Sequence, residues 1–363
     1  MAPWLTASAQ NRAAEPAAPV RGVWIPTPDH TSFWTSRASI DKHLDDLSAA
    51  GINSVFVVMW NQGRTFYPSK VMEGLAGIPI DERMKGRDPL REVVESAKPR
   101  KMRVYAWFEF GFATDVRGGK GSEIARAKPE WMAVNSMGEP LVKNGFRWLN
   151  ALDPAVQDFM LSLLMEVVDG YDVTGIQGDD RLPALPVEGG YNANVVAMYR
   201  AAHGGREPPT NPKDKAWVQW RSDALSQFMQ RIFAETRKRK PAMQVAMAPS
   251  VFPFSRDEYL QDWPAWVKNG WVDLVSPQLY RKDMLHYQSA LNAVVNKQVA
   301  AADLHKVAPG VLLNLGKSYA ASAELLKQML EANRKAGITG EVFFYNEGVG
   351  EKGQVFRELY PAP

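Results

Sequence analysis

RWLNALDPAVQDFMLSLLMEVVDGYDVTGIQGDD, residues 147–180, contains one full unit of the pattern that decides the fold. An amphipathic segment at 154–169 is followed by the small-residue turn Gly170-Tyr171-Asp172. A short apolar strand at 173–179 then ends on Asp179-Asp180. Outward from this unit, in both directions, helical periodicity alternates with short β-branched or aromatic runs from Gly22 to Glu347. That alternation is the mark of parallel βα units.

Strands are predicted at 22–27, 52–60, 103–110, 173–179, 244–250, 273–280, 307–315 and 341–346. Segments 38–49, 88–98, 154–169, 214–238, 286–301 and 321–335 have the length of crossover helices between them. Glycine C-caps are expected at Ala50-Gly51-Ile52, Gly170-Tyr171-Asp172 and Ala336-Gly337-Ile338. Eight strand–helix repeats predict a (β/α)₈ TIM barrel. The rival, a doubly wound open sheet, lacks its glycine-rich phosphate loop after the first strand. No internal repeat and no Pro/Ser linker divides the body, so residues 21–363 are read as one domain.

Composition narrows the function classes. Lys+Arg number 43 against 40 Asp+Glu, and the RKRK run at Arg237–Lys240 reads as a helix end rather than a nucleic-acid footprint. There is no cysteine and there are only five scattered histidines, so thiolate or His-based metal sites are not expected and no cofactor is called for. No apolar stretch approaches the ~20 residues of a membrane span. In residues 1–20, Ala7-Ser8-Ala9 before Gln10 has the A-x-A form of a signal-peptidase site. These residues are read as either the trimmed remnant of a bacterial export signal or a disordered tail, the former implying a periplasmic or extracellular protein.

Three connections, 61–87, 112–153 and 181–213, exceed plain turns, and all follow strands. In a barrel they build the C-terminal face, where active sites lie. The strand ends there carry Glu109, Asp179, Asp180 and Glu347, with Gln278, Tyr280, Arg281, Tyr345, Asn346 and Arg181 around them. One carboxyl can protonate a leaving glycosidic oxygen while a second stabilises or attacks the oxocarbenium-like centre. Adjacent anions also raise each other's proton affinity. Asp-Asp dipeptides commonly cap helices, but here no helix is predicted to start for about ten residues beyond the pair. Glu109 could instead be paired with Arg64 or Arg147, and Glu347 could be a turn residue. Gln278 and Tyr280 share one face of their strand. Twelve tryptophans are present, and Trp24, Trp60 and Trp107, with Trp131 and Trp148, fall at strand ends or in the long loops, where aromatic faces can stack on sugar rings.

These motifs resemble a known family. RGVWIPT (21–27), AWFEFGF (106–112), the 147–180 stretch, WPAWVKNG (263–270), SPQLYR (276–281) and FFYNEG (343–348) resemble, in that order, the glycosyl hydrolase-like family 10 proteins of bacteria. The resemblance runs from about Arg21 to Glu347. It implies a TIM-barrel glycoside hydrolase, and in one branch the cutting of peptidoglycan glycan strands stripped of stem peptides. The family's strand-four pattern D-G-I-x-F-D-D is altered here by Thr174 and Gly178, and Arg181 follows the pair, while Asp179 and Asp180 are kept. A looser similarity to the D-x-D-x-E strand of chitinases implies a substrate-assisting role for Tyr280.

The leading expectation is hydrolysis of a peptidoglycan-type or other N-acetylhexosamine glycan. Asp180 would act as general acid/base, Asp179 as its orienter, and Glu109 or Glu347 as second carboxylate. The alternatives are an inert carbohydrate-binding barrel of the cell envelope, which needs only an aromatic groove, and a lyase or transferase. The partner is an oligo- or polysaccharide; protein partners are not specified.

Overall fold

The computed structural model describes residues 18–116 and 122–360. Eight of its strands run parallel: β1 (Arg21–Ile25), β2 (Ser54–Asn61), β3 (Arg103–Phe108), β4 (Gly175–Asp179), β5 (Gln244–Ala248), β6 (Leu274–Val275), β7 (Gly310–Leu312) and β8 (Glu341–Phe344). Hydrogen-bonded neighbours follow the order β6-β5-β4-β3-β2-β1-β8-β7, so the first strand sits between the second and the last. The sheet is therefore curled, and helices wrap it. At the two ends of the path, β6 and β7 meet through isolated parallel bridges at Val275–Val307 and Gln278–Gly310.

Every predicted strand forms, and the reason is burial on both faces. All eight residues of β2 are buried, as expected when one face looks into the curl and the other lies under helices. Inside the curl, Tyr105 stacks on Phe56 at 4.4 Å and its hydroxyl donates to Gln244 Oε1 at 2.5 Å. One layer nearer the strand ends, the Trp24 ring is 6.3 Å from Trp107, 6.4 Å from Tyr280 and 6.2 Å from Phe344. Trp24 Nε1 donates to Gln177 Oε1 at 2.8 Å.

The outer layer comprises α1 (Arg37–Ala49), α2 (Pro89–Ala97), α3 (Pro154–Gly170), α4 (Lys215–Arg239), α5 (Trp263–Lys268), α6 (Met284–Ala293) and α7 (Ala323–Lys335). Asp153 caps α3 by accepting from Ala155 N at 2.8 Å, with Pro154 at the first helical position. Of the expected glycine caps, Gly51 and Gly337 each adopt φ +79°, whereas Gly170 stays in the helix and extended Tyr171 ends it. The RKRK run closes α4, where Arg237 pairs with Asp273 and Arg239 with Asp169. No helix among the described residues is long and apolar enough to cross a membrane. The A-x-A sequence at 7–9 lies outside the described residues.

The three long connections carry structure of their own. The first holds a helix at Lys70–Ala76, and the third one at Ala193–Ala202. The second, apart from its undescribed residues, folds back as a small antiparallel sheet of Ala113–Val116, Val142–Lys143 and Phe146–Trp148. The third is clamped from below by Arg221 on α4, a fully buried cation. Its guanidinium donates to the carbonyls of Val187 (2.6 Å), Gly189 (2.5 Å) and Pro212 (2.5 Å) and lies 4.4 Å over the Trp217 ring. Burial pushes its pKa down to about 9, yet it stays charged at neutral pH. Arg221→Met leaves the buried Val187 and Gly189 carbonyls and the half-buried Pro212 carbonyl without this donor, and urea unfolding is expected to show a loss of about 3 kcal/mol or more. Wild-type stability in that variant would mean that the clamp is not structural.

Candidate active site

Glu109 and Asp179 reach the rim because each follows an inward-pointing residue at a spacing of two. Glu109 comes two after Trp107 at the end of β3, and Asp179 two after Gln177 in β4, with Trp107 and Gln177 directly paired. Adjacent strands therefore present Glu109 and Asp179 side by side. Gly111 fixes the connection: it adopts φ +45°, and a Cβ there would sit 2.2 Å from the Arg181 carbonyl. That carbonyl accepts from Phe112 N at 3.1 Å, so the backbone after β3 docks onto the backbone after the acid pair.

Arg181 is the cation of the cluster. Its guanidinium lies 3.0 Å from Asp180 and 3.6 Å from Asp179, and its backbone N–H donates to Asp179 Oδ1 at 2.8 Å. Its plane rests 4.4 Å from the Phe110 ring and 6.0 Å from Phe146. Burial works against this charge, but Asp180, Asp179 and Glu109 outweigh it and hold the guanidinium above its usual range.

The three carboxyls differ in environment. Asp179 is 1% exposed, and burial, followed by the neighbouring Asp180 charge, raises its pKa well above the ordinary value. Asp180 keeps 22% of its side chain exposed and accepts from Ser250 Oγ at 3.5 Å. Glu109 accepts from the Asn61 amide and retains some exposure, while dense packing around it pushes its pKa up to about 7. Asn61 and Arg181 oppose that rise, and Asp180 adds to it. The expected Arg64 and Arg147 partners are elsewhere: Arg64 pairs with Glu123 at 2.7 Å and Arg147 with Asp115. Tyr280 belongs to the same field. Burial raises its pKa well above the usual value, and Asp180, Asp179 and Glu109 raise it further.

Glu347 is placed apart. It lies in the first turn of a short helix, Asn346–Glu351, and accepts from Thr31 Oγ1 at 2.5 Å on the β1 side. Asn346 is buried and spends its amide on Thr31 Oγ1 (3.0 Å) and Glu347 (3.4 Å). Tyr345 is also buried, its ring 6.4 Å from His30. Gln278 Nε2 donates to the Ala248 carbonyl at 3.0 Å. Arg281 lies at the edge, its Nη1 on the Tyr280 carbonyl at 3.0 Å.

Trp24, Trp60 and Trp107, expected to stack on sugar, are buried. Trp24 and Trp107 fill the interior of the curl, and Trp60 turns outward, its Nε1 on the Gly111 carbonyl at 2.8 Å and its ring against Phe159. Their faces are inside the protein because both faces of these strands are covered. Strand-end reasoning missed Asn61, Ser250 and Tyr259, although Asn61 ends β2 and Ser250 lies two residues beyond β5. The same rule that found Glu109 would have found both. Tyr259 was hidden because it comes from a short helix, Phe254–Tyr259, and reaches the Asp180–Arg181 pair through the fold. A concavity of about 1130 Å³ lies between helices on the outer wall, where Arg231 pairs with Asp158 and Arg239 with Asp169. Its charges are internally matched, and it is not at the strand ends.

Comparison with known proteins matches this architecture. Glycosyl hydrolase DigH of Escherichia coli K12 is 26% identical over 294 residues, covering 72% of this chain and 62% of that protein. Glycosyl hydrolase YngK of Bacillus subtilis 168 is 24% identical over 292 residues, covering 72% of this chain and 54% of that protein. The chain therefore spans somewhat more than half the length of these relatives. Among solved structures, the PgaB (BpsB) glycoside hydrolase domain of Bordetella bronchiseptica superposes with TM-score 0.70 at 15% identity, covering 95% of this chain and all of that one. The catalytic domain of a Paenibacillus polymyxa β-amylase gives 0.66 at 11% identity, covering 94% and 97%. These two likenesses speak for the fold. The family model described as glycosyl hydrolase-like 10 matches residues 19–318, and the chain belongs to that family.

Proposed function

We propose that this chain is a single-domain (β/α)₈ glycoside hydrolase acting on a bacterial, N-acetylhexosamine-containing glycan of the peptidoglycan type. The observation that carries the reading is the convergence of Glu109 with Asp179-Asp180 around one guanidinium at adjacent strand ends. Glu109, holding its proton near neutral pH, donates it to the leaving oxygen. Asp180, facing Arg181 and partly open to solvent, supports the oxocarbenium-like centre as an ionised carboxylate, by direct attack or through a water. Asp179 is the positioning residue, fixing Arg181 and so the orientation of Asp180. Glu109 replaces Glu347 as the partner because it shares the field of the pair, whereas Glu347 is bound to Thr31. The proton-donor role accordingly passes from Asp180 to Glu109. Such a glycan lies outside the bacterial cytoplasm, and export of the protein follows from the reading.

The inert-binder alternative required an aromatic groove, and the burial of Trp24, Trp60 and Trp107 removes its main support. Incubation with a panel of peptide-free peptidoglycan strands and chitin-type oligosaccharides, read by mass spectrometry, tests the proposal. The expected products are shorter chains that have gained one water per cut. Anhydro products would indicate a lyase instead, and binding without any product across the panel would refute catalysis.

A further inference from the structure

The hairpin in the second long connection ends beside the cation of the acid cluster. It pairs Val142–Lys143 with Phe146–Trp148, and Lys143 stands directly opposite Phe146. Between them, Asn144 at φ +55° and Gly145 at φ +80° take the left-handed conformation that a two-residue hairpin turn requires. Directly opposed residues share one face of a hairpin, so the side chains of Lys143 and Phe146 leave it together.

That face meets Arg181 and its neighbour Tyr259. Phe146 packs 4.9 Å from Phe110, and the Arg181 guanidinium lies against both rings, 4.4 Å from Phe110 and 6.0 Å from Phe146. Lys143 Nζ sits 4.8 Å over the Tyr259 ring, and Asn144 Nδ2 donates to the Tyr259 hydroxyl at 2.8 Å. Tyr259 in turn lies in the field of Asp180 and Arg181.

The hairpin is fastened in that place. Lys143 Nζ donates to both carboxylate oxygens of Glu188 at 3.1 Å and to Glu258 Oε2 at 2.9 Å. Glu188 belongs to the third connection, between the two carbonyls of Val187 and Gly189 that Arg221 holds, and Glu258 to the short helix that carries Tyr259. Only 18% of the Lys143 side chain is exposed, so this is a clasp between three loops rather than a solvated surface pair. Leu141 closes the seam: a Cβ on Gly189 would stand 2.6 Å from its Cδ2. With the hairpin seated, less water reaches the guanidinium, and its attraction to Asp179 and Asp180 acts through a medium of lower dielectric constant.

Resting on the glycosidase reading above, we propose that Lys143 and Asn144 are positioning residues for the reaction, which pin the hairpin against Tyr259 and so hold Arg181 on the acid pair. Glu109 reports where that guanidinium stands. Burial pushes its pKa up to about 7, the Asn61 amide and Arg181 oppose the rise, and Asp180 adds to it. Asp179 and Tyr280 lie in the same field. An Arg181 free to move away opposes the rise less, so the Glu109 titration moves upward.

The test uses the full chain. In Lys143→Met, kcat on a cleavable glycan is expected to fall about tenfold with little change in KM, and the alkaline limb of kcat/KM to move up by about half a pH unit. Glu258 keeps Lys213 as a partner in that variant, so folding is retained. The same upward movement is read without turnover from the carboxyl carbon NMR resonance of Glu109, assigned by its loss in Glu109→Gln. Lys143→Arg should restore most of both. Asn144→Gly keeps the left-handed turn and removes the amide, so it should shift Glu109 in the same direction, and Tyr259→Phe should add nothing to it. A slower Lys143→Met enzyme whose Glu109 titrates as in the wild type, or additive effects of Asn144→Gly and Tyr259→Phe, would make the hairpin a structural cover, overturning this inference and leaving the glycosidase reading standing. No hydrolysis by the unmutated chain, with the Glu109 resonance still shifting in Lys143→Met, would overturn the glycosidase reading and leave the hold on Arg181 standing.

Discussion

Glu109→Gln is expected to lower kcat/KM on a cleavable glycan by about 10²–10⁴-fold, the contribution of a positioned general acid. Glutamine keeps the size of the side chain and can still meet the Asn61 amide, so the loss is chemical rather than structural. The same substitution has a signature in stability. Glu109 has a folded pKa raised to about 7 by burial, above its unfolded value. Its contribution to stability is fully present below the unfolded pKa and is lost as pH rises through 7. Removing the ionisable group should therefore stabilise the protein at pH 8 relative to wild type, by up to about 3 kcal/mol, and not at pH 4. Thermal unfolding at the two pH values reads this directly. An equal effect at both would show that Glu109 does not titrate in the window on which its proposed role depends.

Asp180→Asn is expected to cost at least about 10³-fold in kcat, with a smaller change in KM. Of the two paired aspartates, Asp180 is the one partly open to solvent, while Asp179 is committed to the Arg181 backbone and guanidinium. The amide of the variant cannot carry the negative charge that the oxocarbenium-like centre needs. Folding should be nearly unaffected, because removing one of two adjacent anions relieves repulsion on Asp179 while Arg181 retains that residue as partner. Turnover within tenfold of wild type would assign the charge-bearing role elsewhere, and a large drop in melting temperature would make the kinetic loss uninterpretable as chemistry. Asp179→Asn provides the contrast: a positioning residue should shift the pH profile through its effect on Arg181 and Asp180 as well as lowering the rate.

The strand positions were legible because each strand is a short apolar run bounded by turns, and eight such runs separated by amphipathic segments leave few architectures. Their lengths were less so. The run at 273–280 shrinks to a ladder at Leu274–Val275, since Pro277 has no N–H to donate and the residues beyond it bridge singly. The segment 286–301 ends early as α6 because its last part widens into a π-type turn at Val294–Gln298. The acid pair was readable from its place after a strand, but its partner was not. Glu109 and Glu347 are equivalent in one dimension, and only the neighbour order of the sheet puts β3 beside β4 and sends Glu347 to Thr31. The tryptophans misled for a related reason. Alternation along a strand separates two faces, and in a curled sheet under helices neither face is wet. Trp24 and Trp60 were therefore core whichever way they pointed.

Whether a protonated Glu109 works beside Asp180 in one site is read by the pH dependence of kcat/KM between pH 5 and 9. The prediction is a descending limb centred at about 7 on the alkaline side, absent from the residual activity of Glu109→Gln. A rate that stays flat or rises through that range in the wild-type protein, or a limb unchanged in the variant, would contradict it.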